Sequence, residues 1–101
     1  MTHSRALVAR WRKADPVSSP LALWAGRLHA LDALGVGLAS STLDQGEAWK
    51  RFAHALSDGP ALVLCRRKGA SAADAALVNG GLIHSLEFDD THTASLSLIH
   101  I

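Results

Sequence analysis

Between Asn79 and Ser95 the chain reads N-G-G-L-I-H-S-L-E-F-D-D-T-H-T-A-S. His84, Glu87, Asp89, Asp90, Thr91 and His92 fall within nine positions, with Leu82, Ile83, Leu86 and Phe88 woven among them. Ionisable groups set among apolar side chains acquire shifted proton affinities, and such groups concentrate at functional sites. An imidazole that titrates near neutrality and a carboxylate are suitable members of a proton-transfer pair. Two other chemistries compete. His84, Asp89, Asp90 and His92 are donors of the kind that hold zinc or iron, although the helical His-x-x-x-His spacing is absent and the aspartates are adjacent. Alternatively the chain is a small self-contained helical interaction module with no chemistry of its own.

The elements that must position this segment are helical. Ser4 to Lys13 reads as a short amphipathic helix, with Leu7, Val8 and Trp11 on one face, and Asp15-Pro16 ends it. Ser19-Pro20 starts a long helix, serine as N-cap and proline in the first turn. Leu21, Trp24, Leu28, Leu31, Gly35 and Leu38 recur along one face of it. Gly35 and Gly37 are expected to admit a neighbouring helix, offsetting their cost of about 1 kcal/mol each relative to alanine. Ser40-Ser41-Thr42 closes the element. Asp44 is expected to cap a third helix, Gln45 to Leu56, that buries Trp49, Phe52, Ala53 and Leu56.

Ser57-Asp58-Gly59-Pro60 is a turn signal. Ala61 to Cys65 reads as a short buried strand or extended segment, and Arg66-Arg67-Lys68-Gly69 as a return to the solvated surface. Ser71 opens the fourth helix, with Asp74 three residues on in the manner of a capping box. Ala73, Ala76, Leu77, Gly80 and His84 form a small-residue face suited to tight packing, and the helix should fray near Phe88. The expected fold is all-α, with about four helices. Trp11, Trp24 and Trp49 read as core.

The composition excludes several classes. The 101 residues make one small domain at most, and at 49% apolar content it is globular. Ten basic and nine acidic residues leave a net charge of +1, without the basic stripe that a nucleic-acid partner requires. Cys65 is the single cysteine, so no internal disulfide forms, which fits a reducing compartment. The start lacks the apolar core and cleavage site of a secretory signal. The most apolar run, Leu21 to Ala39, is broken by Arg27, His29 and Asp32 and makes a poor membrane span. The protein is therefore expected to be cytoplasmic, with no membrane partner.

Three strings, L-D-A-L-G-V at Leu31–Val36, A-A-L-V-N-G at Ala75–Gly80 and H-S-L-E-F-D-D-T-H at His84–His92, resemble the opening of the MmgE/PrpD family. That family includes 2-methylcitrate dehydratase, cis-aconitate decarboxylase and iminodisuccinate epimerase. The match runs from about Leu21 to Ser95; the N-G-x-x-x-H-x-x-x-F-D-D-T-H string is the specific part. The resemblance implies a mainly helical domain joined, in an enzyme of several hundred residues, to a smaller α+β domain. It implies a homodimer acting on a small polycarboxylate without a metal or other cofactor. This chain would be the N-terminal part of the helical domain. Carried over by position, Asp89, Asp90 and His92 are catalytic candidates, and Thr91, His84 and Asn79 substrate-binding ones. For His84 and Asn79 a structural role competes: a packed or capping imidazole, and an amide bonding within the fold. No convincing cluster of cations for a polycarboxylate lies near the motif, so those groups are expected from another part of the enzyme.

Two departures stand out. Glu87 occupies a position where many relatives carry aspartate. The family's second histidine, in an H-P-S string, is missing; Leu96–Ile101 reads L-S-L-I-H-I, the translation of a transposon-adapter end. Residues 96–101 are thus expected to be a non-native tail on a domain spanning 1–95, and His100 is not equated with the family histidine.

Overall fold

The computed structural model describes residues 2–88. Four α-helices, α1 (His3–Lys13), α2 (Pro20–Ser40), α3 (Glu47–His54) and α4 (Ala72–His84), are joined by 3₁₀ turns at Pro16–Ser18 and Asp44–Gly46 and by an irregular loop between α3 and α4. The all-α expectation holds, and the described residues form no strand. Ala61 makes one isolated antiparallel bridge with Ala70, closed by reciprocal N–H···O bonds of 2.9 Å. The apolar run from Ala61 to Cys65 goes no further as a strand because a turn begins at Leu64.

Capping residues set most of the boundaries. Thr2 accepts the Arg5 N–H at 3.3 Å to open α1. Asp15 accepts the Val17 N–H at 3.2 Å and starts the first 3₁₀ turn. Ser19 accepts the Ala22 N–H at 3.3 Å ahead of Pro20, as its residue type predicts. Ser71 accepts the Asp74 N–H at 3.2 Å to open α4. Asp44 caps nothing: its 3₁₀ turn and α3 both begin without a side-chain hydrogen bond. The backbone there is fixed by close packing instead, since a Cβ on Gly46 would overlap the Ser40 carbonyl.

The core is small and lies late in the chain. Ala53, Val63, Ala70, Ala75, Val78 and Leu82 are buried, and Trp49, Leu56, Ala61, Leu64 and Cys65 pack against them. The C-terminal end of α2 and one side of α3 rest on α4. On α4 the buried side is Ala75, Val78 and Leu82. The small-residue face expected to pack, with Ala73, Ala76, Leu77, Gly80 and His84, is exposed. Leucine and valine on the other face remove more apolar area from water than alanine and glycine do, and that difference decides which side turns inward.

The same inversion applies to α2. Its leucine and tryptophan face is uncovered: Leu21 is 74% exposed and Leu31 68%, while Gly37 and Ser40 are buried. Gly37 does admit a neighbour, because a Cβ there would press on Leu64 and Ile83, but Gly35 has open space around it. Among the described residues only the last turns of α2 find cover. Of the three tryptophans only Trp49 packs; Trp11 is 78% exposed and Trp24 59%.

Candidate functional site

Asp89, Asp90, Thr91 and His92 lie outside the described residues. The structure gives the platform from which they continue: the last two turns of α4 and the turn that follows. Three neighbours grip this platform. The Trp49 indole covers Gly81, where any Cβ would overlap the ring. The buried Ser40 hydroxyl donates to the Leu82 carbonyl at 2.6 Å across 42 residues of sequence. Ile83 lies against Gly37. The last carbonyls of a helix run short of partners within it, and the Ser40 hydroxyl gives the Leu82 carbonyl a shorter bond than the 3.3 Å one it receives from the Ser85 N–H.

Beyond Leu82 the helix winds down in order. Ser85 donates its N–H to the Gly81 and Leu82 carbonyls at 3.0 and 3.3 Å, and its hydroxyl to Gly81 at 2.6 Å. The Glu87 N–H reaches the His84 carbonyl at 2.9 Å. Glu87 has φ of 56°, the left-handed region, and is the one described non-glycine residue with positive φ. That conformation costs an ordinary L-residue roughly 1–2 kcal/mol. It redirects the chain one residue before the expected fraying point at Phe88, and Asp89 lies two residues beyond it in sequence.

His84 is the last residue of α4 and is exposed. A basic residue there suits the negative end of the helix dipole. It does not terminate a packed stripe, since the residues one and two turns before it on its face are themselves open to solvent.

Asn79 spends its amide on the neighbouring loop. Its Oδ1 accepts the Leu64 N–H at 2.9 Å and its Nδ2 donates to the Leu62 carbonyl at 2.9 Å. One side chain thereby imitates a strand partner for a segment that has none. Leu64, held in this way, is the residue that faces Gly37. Asn79 therefore couples the loop to both helices, in keeping with an amide bonding within the fold.

The loop carries an organising residue that the sequence disguised. Arg66 stands in an R-R-K run read as solvated surface, yet its side chain is only 7% exposed. Its guanidinium donates to five backbone carbonyls, those of Ala53, Leu56, Ser57, Lys68 and Gly69, at 2.6 to 3.2 Å. The first two lie at and just beyond the end of α3, where carbonyls run short of helical donors; Ala53 also accepts the Leu56 N–H at 3.2 Å. The planar fork of arginine, always charged and rich in donors, is the group able to serve so many acceptors. Arg67 and Lys68 do return to the surface. A basic residue followed by Gly-Ala and a helix N-cap was the available signal, but an arginine run does not reveal which member turns inward.

Arg66 also lines a shallow cavity with His54, Leu56, Asp58, Cys65, Arg67 and Lys68. Its donors already point at carbonyls, and Lys68 pairs with Asp58 at 3.3 Å, so the cavity does not assemble a ready anion receptor. Burial pushes the Cys65 thiol above its ordinary value, against the opposing pull of a backbone hydrogen bond and of Lys50 and Arg66. Such a thiol is a poor nucleophile. Among the described residues no three His, Cys, Asp or Glu side chains converge on a metal position, and of the four ligands in the metal reading only His84 is described. No helix among the described residues is long and apolar enough to cross a membrane.

Comparison with known proteins gives one match. The family model described as MmgE/PrpD N-terminal domain covers residues 8–100. No curated protein and no solved structure matches the chain.

Proposed function

The chain belongs to the MmgE/PrpD family, and from that premise we propose that it supplies the N-terminal helical domain of an enzyme acting on a small polycarboxylate, most nearly a 2-methylcitrate dehydratase-like lyase. The family match over residues 8–100, which includes the acid-and-imidazole segment, carries this reading. Decarboxylation or epimerisation would begin with the same kind of carbon chemistry next to a carboxylate.

In the dehydratase form, a base removes a proton from the carbon beside a carboxylate and an acid protonates the departing hydroxyl, which leaves as water. Asp89, Asp90 and His92 are the groups proposed for these transfers, because a carboxylate and an imidazole can hold and release a proton near neutral pH. Thr91 offers a hydroxyl to a substrate carboxylate. His84, at the mouth of the same turn, is proposed to contact the substrate, and Asn79 to act on it only through the loop it holds. Cationic groups must neutralise a di- or tricarboxylate. Arg66, the best-placed buried cation here, is committed to carbonyls, so these groups come from elsewhere in the enzyme. The uncovered leucine face of α2 supports a setting in which further helices pack on this domain.

The test is turnover by the enzyme carrying this domain on 2-methylcitrate, citrate, cis-aconitate and iminodisuccinate. Turnover of one of them is expected, and Asp90→Ala or His92→Ala should lower it by about 100-fold or more while leaving the unfolding midpoint nearly unchanged. Inactivity on all four, or equal losses of activity and stability in both variants, would return the segment to a structural role.

A further inference from the structure

We infer that Ser40 is a positioning residue for the acid-and-imidazole segment, a latch that fixes the direction in which the chain leaves α4. The inference rests on the proposed function for its catalytic meaning, and on geometry for the latch itself. Ser40 ends α2 and is wholly buried. Its hydroxyl hydrogen bond to Leu82 is a polar contact by which α2 grips the last turns of α4. The other two grips, Trp49 over Gly81 and Gly37 against Ile83, are apolar and tolerate sliding or rotation. A 2.6 Å hydrogen bond to one named carbonyl does not: it selects a single rotational setting of the helix.

That setting propagates over a short distance. The same Leu82 carbonyl receives the Ser85 N–H, and the His84 carbonyl two residues on receives the Glu87 N–H. Glu87 holds its left-handed conformation against its own preference, which requires the surrounding structure to over-determine it. With Leu82 released, the strained turn at Glu87 loses its fixed end. A displacement of about 1 Å in a reacting group can cost about 100-fold in rate. The second role of Ser40 strengthens the latch: its carbonyl lies against Gly46, so the serine backbone is confined by the turn that leads into α3.

The latch is tested by amide hydrogen exchange on this 101-residue chain, comparing wild type with Ser40→Ala and with Ser40→Cys, which keeps the size but donates weakly. The expected result is exchange at Ser85 and Glu87 at least tenfold faster in Ser40→Ala, with Val78 and the α3 amides changed less than twofold and the cysteine variant in between. Unchanged exchange at Ser85 and Glu87, or equal acceleration of every amide, overturns the latch; if Ser40→Ala does not fold, Ser40→Cys decides by the same criterion. In the active enzyme, Ser40→Ala should lower kcat about tenfold per folded molecule, with KM within twofold and a displaced limb of the pH–rate profile. A loss of folded protein alone moves no such limb. If Asp90→Ala and His92→Ala both keep full turnover, the proposed function falls and with it the catalytic meaning of Ser40, whatever the exchange pattern. If they abolish turnover while Ser40→Ala leaves kcat and the pH profile intact, the positioning role alone is wrong.

Discussion

The indole of Trp49 lies where a side chain on Gly81 would begin. One helical position earlier, Gly80 has nothing within 4 Å of where its Cβ would stand. Adjacent glycines thus have opposite reasons to be there, and they make opposite predictions. Gly81→Ala forces the half-buried ring to move and should destabilise the chain by about 2 kcal/mol, the usual cost of overpacking. Gly80→Ala should stabilise it by up to about 1 kcal/mol, because alanine is the better helix former. Urea unfolding midpoints for the two variants check both signs.

Arg66 is expected to be the least replaceable residue of the loop. Arg66→Ala leaves five carbonyls short of a donor, several of them shielded from water. The loss should be about 3 kcal/mol or more, since each unsatisfied buried group costs roughly 1–3 kcal/mol. Arg66→Lys keeps the charge but not the fork, and should recover less than half of the loss. Arg67→Ala, one position on and exposed, should change stability by no more than about 0.5 kcal/mol. The ion pairs at the rim, Asp58 with Arg66 and Lys68, add little because Asp58 is largely solvated. Thermal unfolding of the three variants separates the carbonyl clamp from surface charge.

Asn79→Ala removes both bonds that hold Leu62 and Leu64. A loss of about 2 kcal/mol is expected, about 1 kcal/mol for each hydrogen bond. Asn79→Asp keeps the acceptor for the Leu64 N–H but sets a carboxylate oxygen against the Leu62 carbonyl, and should be no more stable than the alanine variant. In the active enzyme KM should stay near the wild-type value in any variant that folds. A tenfold rise in KM without loss of stability would instead make Asn79 a substrate ligand.

The raised thiol of Cys65 ties stability to alkaline pH. The folded chain holds the thiol proton more tightly than the unfolded chain does. The resulting stabilisation is complete below about pH 8.5, where an ordinary thiol begins to ionise, and is lost as pH rises through the higher folded value. Wild type should therefore lose stability as pH rises above about 8.5 faster than Cys65→Ala, whose profile lacks this component. Unfolding midpoints across that range measure the difference.

Much of the architecture was legible in the sequence because its signals are local. Ser19-Pro20 and Ser71 cap helices through their own neighbours, and Asp15-Pro16 stops one, so three to five residues carry the information. The faces were misread where periodicity had to choose between competing stripes. Leu21, Leu31 and Leu38 form a regular face on α2, but nothing among the described residues covers it, whereas Gly37 and Ser40 are buried by contacts from α4 and the loop. Ala73, Ala76 and Gly80 likewise lost to Ala75, Val78 and Leu82. Arg66 and Asn79 were hidden for a different reason: their partners are backbone carbonyls and amides, which leave no trace in residue type. Of the candidate site, His84 and Asn79 are placed; Asp89, Asp90, Thr91 and His92 rest on the family string, whose order and spacing the sequence displays directly.

The uneven distribution of burial has a practical outcome. Every buried side chain or glycine among the described residues falls between Gly37 and Leu82, so α1 and the leading turns of α2 are tethered to the body only by chain continuity and helical hydrogen bonds. Trypsin offered the intact chain should find Arg5, Arg10, Arg12, Lys13 and Arg27 open, all in exposed positions. Digestion would whittle the amino-terminal arm back toward Arg27 first; within the body the exposed targets are Arg51 on α3 and Arg67 and Lys68 in the loop that Arg66 ties shut, where cleavage should come later.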